Sequence, residues 1–282
     1  MDNMADGTLP VAAAGRDEPV GDPAHSATWA RIGRWAAYVG ALGLFTGSVL
    51  FLLDSLNVLA PALREPPTGG NADLRVAAHY AAWFGRQHTI WWDIALRDSV
   101  GPLGLLSLVV AVVALLCWLR RRDPAAVLLA LLFGMGALLS ASSDLAYLNL
   151  VNYWRFGWSH ATTVNMIASG RAVEAIDSIT FYPQAAGYLL LASSLWCLWV
   201  LAKTEPRLPR WVAWVALLEA AALPLIVLTS IVGPDVVYSV LAFLTGVLLG
   251  PLLAVGLART LSPSAAANRG ASGADTHSAN QR

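Results

Sequence analysis

Aspartate, glutamate and histidine recur at the ends of long apolar blocks, and one glutamate lies inside a block. Asp54 closes the first block, Asp93 and Asp98 precede or begin the second, and Asp144 closes the third. Glu174 and Asp177 lead into the fourth. His79, His88 and His160 fall in the two long connectors beside them, whereas His25 and His277 lie towards the chain ends. Carboxylates and imidazoles gathered at one end of a helical bundle can bind a cation, relay protons or hold a metal. Helix ends converge in such a bundle. Asp93, Asp144, His88 and His160 are therefore expected to line one pocket, with Glu174 and Asp177 beside it and a helix over 71–87 as its cap. Asp93 and Arg97 are four apart on one helical face, a spacing that lets them neutralise each other. Ion pairing with Arg97, Arg155 and Arg171 is the structural alternative that absorbs the same charges. There is no H-E-x-x-H or E-x-x-H pair, so the spacing specifies no metal.

Glu219 stands apart, near the middle of the fifth block and ahead of Pro224. A carboxyl at the centre of a bilayer costs about 2.5–3.5 kcal/mol on insertion scales, so it must be protonated, paired or turned to a cavity. Ser140, Tyr188, Ser193, Ser194 and Thr245 are the candidate partners at similar depth. Glu219 is accordingly counted with the ligand-binding candidates, although a neutral carboxyl bonded across helices explains it as well.

These groups are positioned by elements that the composition already defines. Hydrophobic residues make up 57% of the 282-residue chain and charged residues 13%, about half the ~25% usual in soluble domains. Too few charges remain to cover a soluble surface. Crossing a hydrocarbon core of about 30 Å takes about 20 helical residues. Blocks of that size run over 35–53, 99–119, 124–143, 178–202, 211–234 and 236–258. None alternates in the manner of a barrel strand. The chain is predicted to be an all-α, multi-pass cell-membrane protein whose six-helix domain spans 31–261 and contacts membrane lipids. Tails over 1–30 and 262–282 are rich in small and polar residues and read as disordered. No basic region followed by a short apolar core opens the chain, so a cleaved signal peptide is not expected.

Basic residues orient the spans. Placing the N-terminus inside puts Arg16, Arg31, Arg34, Arg120, Arg121, Arg122, Lys203, Arg207, Arg210, Arg259, Arg269 and Arg282 in the cytoplasm. Only Arg64, Arg75, Arg86, Arg97, Arg155 and Arg171 then face out. Both termini and both tails are predicted to be cytoplasmic. Tryptophans fall near both boundaries, Trp35, Trp118, Trp199 and Trp211 among the inner ones and Trp83, Trp91 and Trp92 among the outer, as interfacial anchors do. The inner connectors are short and two outer ones, 55–98 and 144–177, are long, which puts function on the outside. Within them, 71–87 reads as a surface helix capped by Asn71 or Asp73, with Ala77, Ala81 and Phe84 on one face. The segment 163–179 reads similarly and runs into the fourth span, bent by Pro183. Gly40, Gly43 and Gly47 on the first span, with Gly134 and Gly136 on the third, mark close helix packing.

The six-span layout, the extended segment after span one and the sequence Leu208-Pro209-Arg210-Trp211-Val212-Ala213-Trp214 opening span five resemble the bacterial integral membrane proteins grouped as domain of unknown function 4386. The likeness covers about 31–261 and implies the fold; it brings no activity and no catalytic residue.

Net charge is zero, from 18 basic and 18 acidic residues, and nothing points to nucleic acid. Cys117 and Cys197 form no C-x-x-C pattern. No nucleotide-binding glycine motif, nucleophile elbow or haem-type cysteine pair is present, so no cofactor is specified. Two readings stand. One is a protein that binds or moves a small ligand or ion through an outward-facing polar pocket, a role that calls for a homo-oligomer if it is a carrier. The other is a membrane-embedded enzyme acting on an apolar or lipid-like substrate, a metal-dependent oxidoreductase using the outer histidines.

Overall fold

The computed structural model describes residues 23–63, 71–121, 123–154, 160–232 and 235–262. Every element in these residues is helical: α1 (Pro23–Ser55), α2 (Ala72–Thr89), α3 (Trp91–Leu119), α4 (Pro124–Trp154), α5 (Thr163–Thr204), α6 (Arg210–Val232), α7 (Asp235–Phe243) and α8 (Gly250–Thr260). A π-helical segment, Leu244–Leu249, joins α7 to α8, and the three together make one membrane-length helix. With α1, α3, α4, α5 and α6 this gives six helices long and apolar enough to cross a membrane. The helix α1 starts at Pro23, before the boundary expected at residue 31. Proline is suited to a first helical turn, where its missing amide is no loss. The rest of the expected tails, 1–22 and 263–282, lies outside the described residues, as do Arg155 and the turn at 233–234.

Glycine decides which helices touch most closely. A methyl group added at Gly43 would lie 2.7 Å from the Gly104 Cα, and one at Gly104 would lie 2.9 Å from the Gly43 Cα. The backbones of α1 and α3 therefore meet without side chains between them. Gly136 and Gly187 do the same for α4 and α5, each within 2.8 Å of the other's carbonyl oxygen by the same measure. Gly134, by contrast, has only Val109 nearby, at 3.8 Å.

Packing is unequal along the bundle. At the end that carries the termini, Ala37, Ala111, Leu115, Leu129, Leu198, Val212, Ala254 and Leu257 are almost wholly buried and form one continuous core. Gly33 and Leu261 meet there, so the first and last spans close the bundle. The opposite end is more polar and holds α2. Asn71 caps α2, its Oδ1 accepting from the Asp73 amide at 2.8 Å. Ala77, Tyr80 and Phe84 of α2 are buried against Met166 and Val173 of α5. With 42 residues, α5 is ~63 Å long at ~1.5 Å per residue, about twice the hydrocarbon thickness. Its first half therefore extends beyond the span and supports α2.

A latch ties the connectors at the terminal end. Glu205, 4% exposed, accepts from Arg207 Nε at 2.7 Å and from Arg121 Nε at 3.4 Å. Arg207 Nη2 also donates to the Leu119 carbonyl at 3.1 Å. The Arg207 hydrogen bonds outweigh burial and hold the Glu205 carboxyl below its ordinary value of 4.5. A depressed folded-state value means that the contribution is complete above the ordinary value and is lost as pH falls through the folded one. Glu205→Gln should lower the stability of the solubilised protein by about 1–3 kcal/mol at neutral pH. The difference from wild type should shrink below pH 4.5, and equal melting temperatures at pH 7 would remove the latch from the account.

Candidate functional site

All six spans contribute to a cavity of about 450 Å³ in the less tightly packed half of the bundle. Its polar wall is formed by Arg97 and Asp98 of α3, Ser140, Ser143, Asp144 and Tyr147 of α4, Asp177, Thr180, Gln184 and Tyr188 of α5, Glu219 of α6, Tyr238 of α7 and Thr245 of the π-helical segment. Leu108, Phe133, Leu195 and Leu253 close the end nearest the packed core. Asp177 is exposed and marks the rim. Glu219 lies ~20 Å along α6 from Val232 and marks the deep end.

The one arginine of this wall is already committed. Arg97 donates from Nε to Asp98 Oδ1 at 2.6 Å, from Nη2 to Asp98 Oδ2 at 3.1 Å and from Nη1 to Asp54 Oδ2 at 3.3 Å. Asp54 also accepts from Arg86 Nη2, which brings α2 to the end of α1. The chain Arg86–Asp54–Arg97–Asp98 is alternating and electrically balanced. Arg97 also lies over the Phe51 ring, 5.9 Å from its centre. It does not pair with Asp93, which the spacing of four had suggested.

The remaining carboxylates of the cavity have no such cation. Asp144 accepts from Gln184 Nε2 at 3.1 Å, and no ion pair reaches Asp144, Asp177 or Glu219 among the described residues. Glu219 Oε2 and Ser140 Oγ are buried without a hydrogen-bond partner among the described residues. Glu219 Oε1 faces Gly250, where a methyl group would come within 3.4 Å of it. Of the partners expected for Glu219, Ser140, Tyr188 and Thr245 share its cavity, while Ser193 and Ser194 donate instead to the Leu189 and Leu191 carbonyls of their own helix.

Backbone irregularity concentrates around the same space. Pro102, Pro183 and Pro224 lie inside α3, α5 and α6. Proline has no amide, so the carbonyls four residues earlier, those of Asp98, Ile179 and Ala220, lose their usual helical donor. The π-helical segment adds a fourth irregularity at Thr245 and Gly246, both on the cavity wall.

Three of the site residues expected from sequence, Asp144, Asp177 and Glu219, are thus brought together. The other four do not line this cavity. His88 and His160 are exposed, Asp93 is half-buried outside the cavity, and Glu174 hydrogen-bonds to the Tyr80 hydroxyl. That bond and burial push the Tyr80 hydroxyl above its ordinary value, burial being the larger cause, and tie α2 to α5. The expected pocket of Asp93, Asp144, His88 and His160 is therefore replaced by one in which Asp144 faces Asp98, Tyr147, Tyr188 and Tyr238. Phe51, Tyr147, Gln184 and Tyr238 were not singled out by sequence. The only signals for them were an aromatic group one helical turn from a carboxylate, as with Phe51–Asp54 and Asp144–Tyr147, and an amide directly after a proline, at Pro183–Gln184.

No three His, Cys, Asp or Glu side chains converge in a metal-holding arrangement among the described residues. Comparison with protein-family models, with curated proteins and with solved structures finds no match to the chain.

Proposed function

We propose that this integral membrane protein binds a small ligand or ion in the six-helix cavity and admits it from the cell exterior. One observation carries the reading: three carboxyl groups, Asp144, Asp177 and Glu219, face the cavity without an ion-pair partner among the described residues. Asp177 stands at the exposed rim, but Asp144 and Glu219 lie deeper, where a carboxylate removed from water is costly unless something compensates it. Arg97, by contrast, is matched with Asp54 and Asp98. The excess of basic residues around the terminal end supports an outward mouth at the α2 end. The layout and the Leu208–Trp214 opening of α6 likewise support the proposed kinship with the domain of unknown function 4386 proteins, which adds no activity. His88 and His160, the residues named for the enzyme reading, do not line this cavity.

The test is thiol labelling. With Cys117 and Cys197 replaced by Ala, Thr180→Cys places one thiol on the cavity wall near the rim. A membrane-impermeant maleimide added to intact cells should label it, and a cysteine at Leu253 on the closed end should react far more slowly. Labelling of Thr180→Cys only in inverted vesicles would overturn the outward orientation. No labelling from either side of a folded protein would overturn the water-filled pocket itself.

A further inference from the structure

The lining of the cavity restricts what it can hold, and the restriction deepens the binding reading just given, on which it rests. An anion is disfavoured first. Four carboxylic side chains, Asp98, Asp144, Asp177 and Glu219, face the space, and the one guanidinium among them is held in two places by Asp98 and again by Asp54. A bare metal ion is disfavoured next. Such ions take several oxygen ligands at ~2.0–2.6 Å, and no three carboxylates, imidazoles or thiols converge among the described residues. A cavity of about 450 Å³ is also far larger than one dehydrated ion, and lies within the ~300–1,000 Å³ typical of organic ligands. A neutral apolar molecule fits the leucine floor, but it would leave Asp144 desolvated with no compensating charge.

Aromatic rings complete the case. Phe51, Tyr147, Tyr188 and Tyr238 all line the cavity with Asp144. Phe51 and Tyr238 meet edge to face, with centres 6.2 Å apart, and Phe51 already accepts the Arg97 guanidinium on its ring. Ring faces attract cations electrostatically, and quaternary ammonium groups are the ligands most suited to a cage of this kind. Towards the deep end the wall becomes apolar through Leu105, Leu223 and Leu253, interrupted by two groups that lack partners. One is Ser140 Oγ, in a residue only 2% exposed, and the other is Glu219 Oε2.

We propose that the ligand is an organic cation: an ammonium head held by Asp144 beside the rings of Tyr147, Tyr188 and Tyr238, on an apolar body that extends along the leucine-lined wall. The head supplies the charge that Asp144 lacks. The body fills the leucine-lined remainder, which water would occupy at a cost.

Three probes with one body and different heads test this: 4-phenylbutyl-trimethylammonium, 4-phenylbutanol and 4-phenylbutyrate. Each is titrated into the purified full chain by calorimetry and added as a competitor to maleimide labelling of Thr180→Cys. The trimethylammonium probe should bind and slow labelling, and the alcohol and carboxylate should bind at least ~10-fold more weakly. Asp144→Asn should reduce trimethylammonium affinity by about tenfold or more. Tyr238→Leu should also weaken it, and it stands as the second variant where Asp144→Asn fails to fold. Equal binding of the three heads, preference for the alcohol or carboxylate, or protection by sodium or calcium alone would overturn the organic-cation assignment. If Thr180→Cys labels but trimethylammonium neither binds nor protects, the ligand class falls while the pocket stands. If Thr180→Cys never labels, both fall.

Discussion

Arg97→Leu should remove most of the folded protein recovered in detergent, and Arg97→Leu combined with Asp98→Asn should restore much of it. The guanidinium is 17% exposed and is shared between Asp54 and Asp98, the latter only 9% exposed. Its removal leaves Asp98 buried with no cation and Asp54 dependent on Arg86 alone. Breaking a buried pair by deleting one partner costs about 3–5 kcal/mol, because an uncompensated charge remains. Neutralising that charge removes the penalty, so the double variant is expected to melt well above the single one. Arg97→Lys should fall between wild type and leucine, since an ammonium cannot reproduce the two-pronged contact with Asp98. The measurement is thermal melting of the solubilised protein together with its monodisperse fraction. An unchanged melting temperature for Arg97→Leu would show that the ionic chain does not hold α1, α2 and α3 together.

The second large effect is steric. Gly104→Val places branched carbons where the α1 backbone already lies, its first atom 2.9 Å from both the Gly43 Cα and the Leu44 amide nitrogen. Overpacking normally costs about 1–3 kcal/mol because side chains can give way. Here the obstacle is main chain on both sides, so α1 and α3 must separate and the loss should reach or exceed the upper figure. Gly101→Ala is the control. It lies three residues earlier on the same helix, where a methyl group meets nothing within 4 Å. Alanine gains about 1 kcal/mol over glycine in a helix, offset by the crowding of its Cβ against the Pro102 ring that follows, so this variant should melt within a few degrees of wild type. Equal loss in both would assign the effect to α3 itself rather than to its contact with α1.

The spans were legible in the sequence because a block without charges has one stable environment, and α2 because Asn71 is a cap residue ahead of an amphipathic run. Asp144, Asp177 and Glu219 were legible as candidates for a related reason: a carboxyl inside an apolar block, or at its end, needs compensation. Which carboxyls meet was less readable. Asp93 and Asp98 are close in sequence, yet a separation of five turns a helix by about 140° at ~3.6 residues per turn. Asp98 consequently faces Arg97 and the cavity while Asp93 does not. Glu174 and Asp177 are three apart and nearly in phase, but α2 ends the resemblance by taking Glu174 onto Tyr80. Histidines near spans suggest metal chemistry by residue type alone, whereas His88 and His160 lie on exposed surface. Phe51, Tyr147 and Tyr238 were invisible for a related reason. An aromatic residue near the end of an apolar block has the same composition signal whether it anchors in headgroups or lines a cavity, and only the assembled helix phases separate the two.

The continuous course of α5 has a mechanical consequence. One rod carries Met166, Gly170 and Val173 against α2, then Asp177, Thr180, Gln184 and Tyr188 along the cavity wall, then Leu195 and Leu198 in the packed core. Only Pro183 interrupts its hydrogen bonding. Tilting such a rod about its tightly packed lower half swings the cap and the wall by amounts that grow with distance from the pivot. The helix that seats α2 is thus the same one that forms the cavity wall, so a displacement of α2 would reach the wall along it.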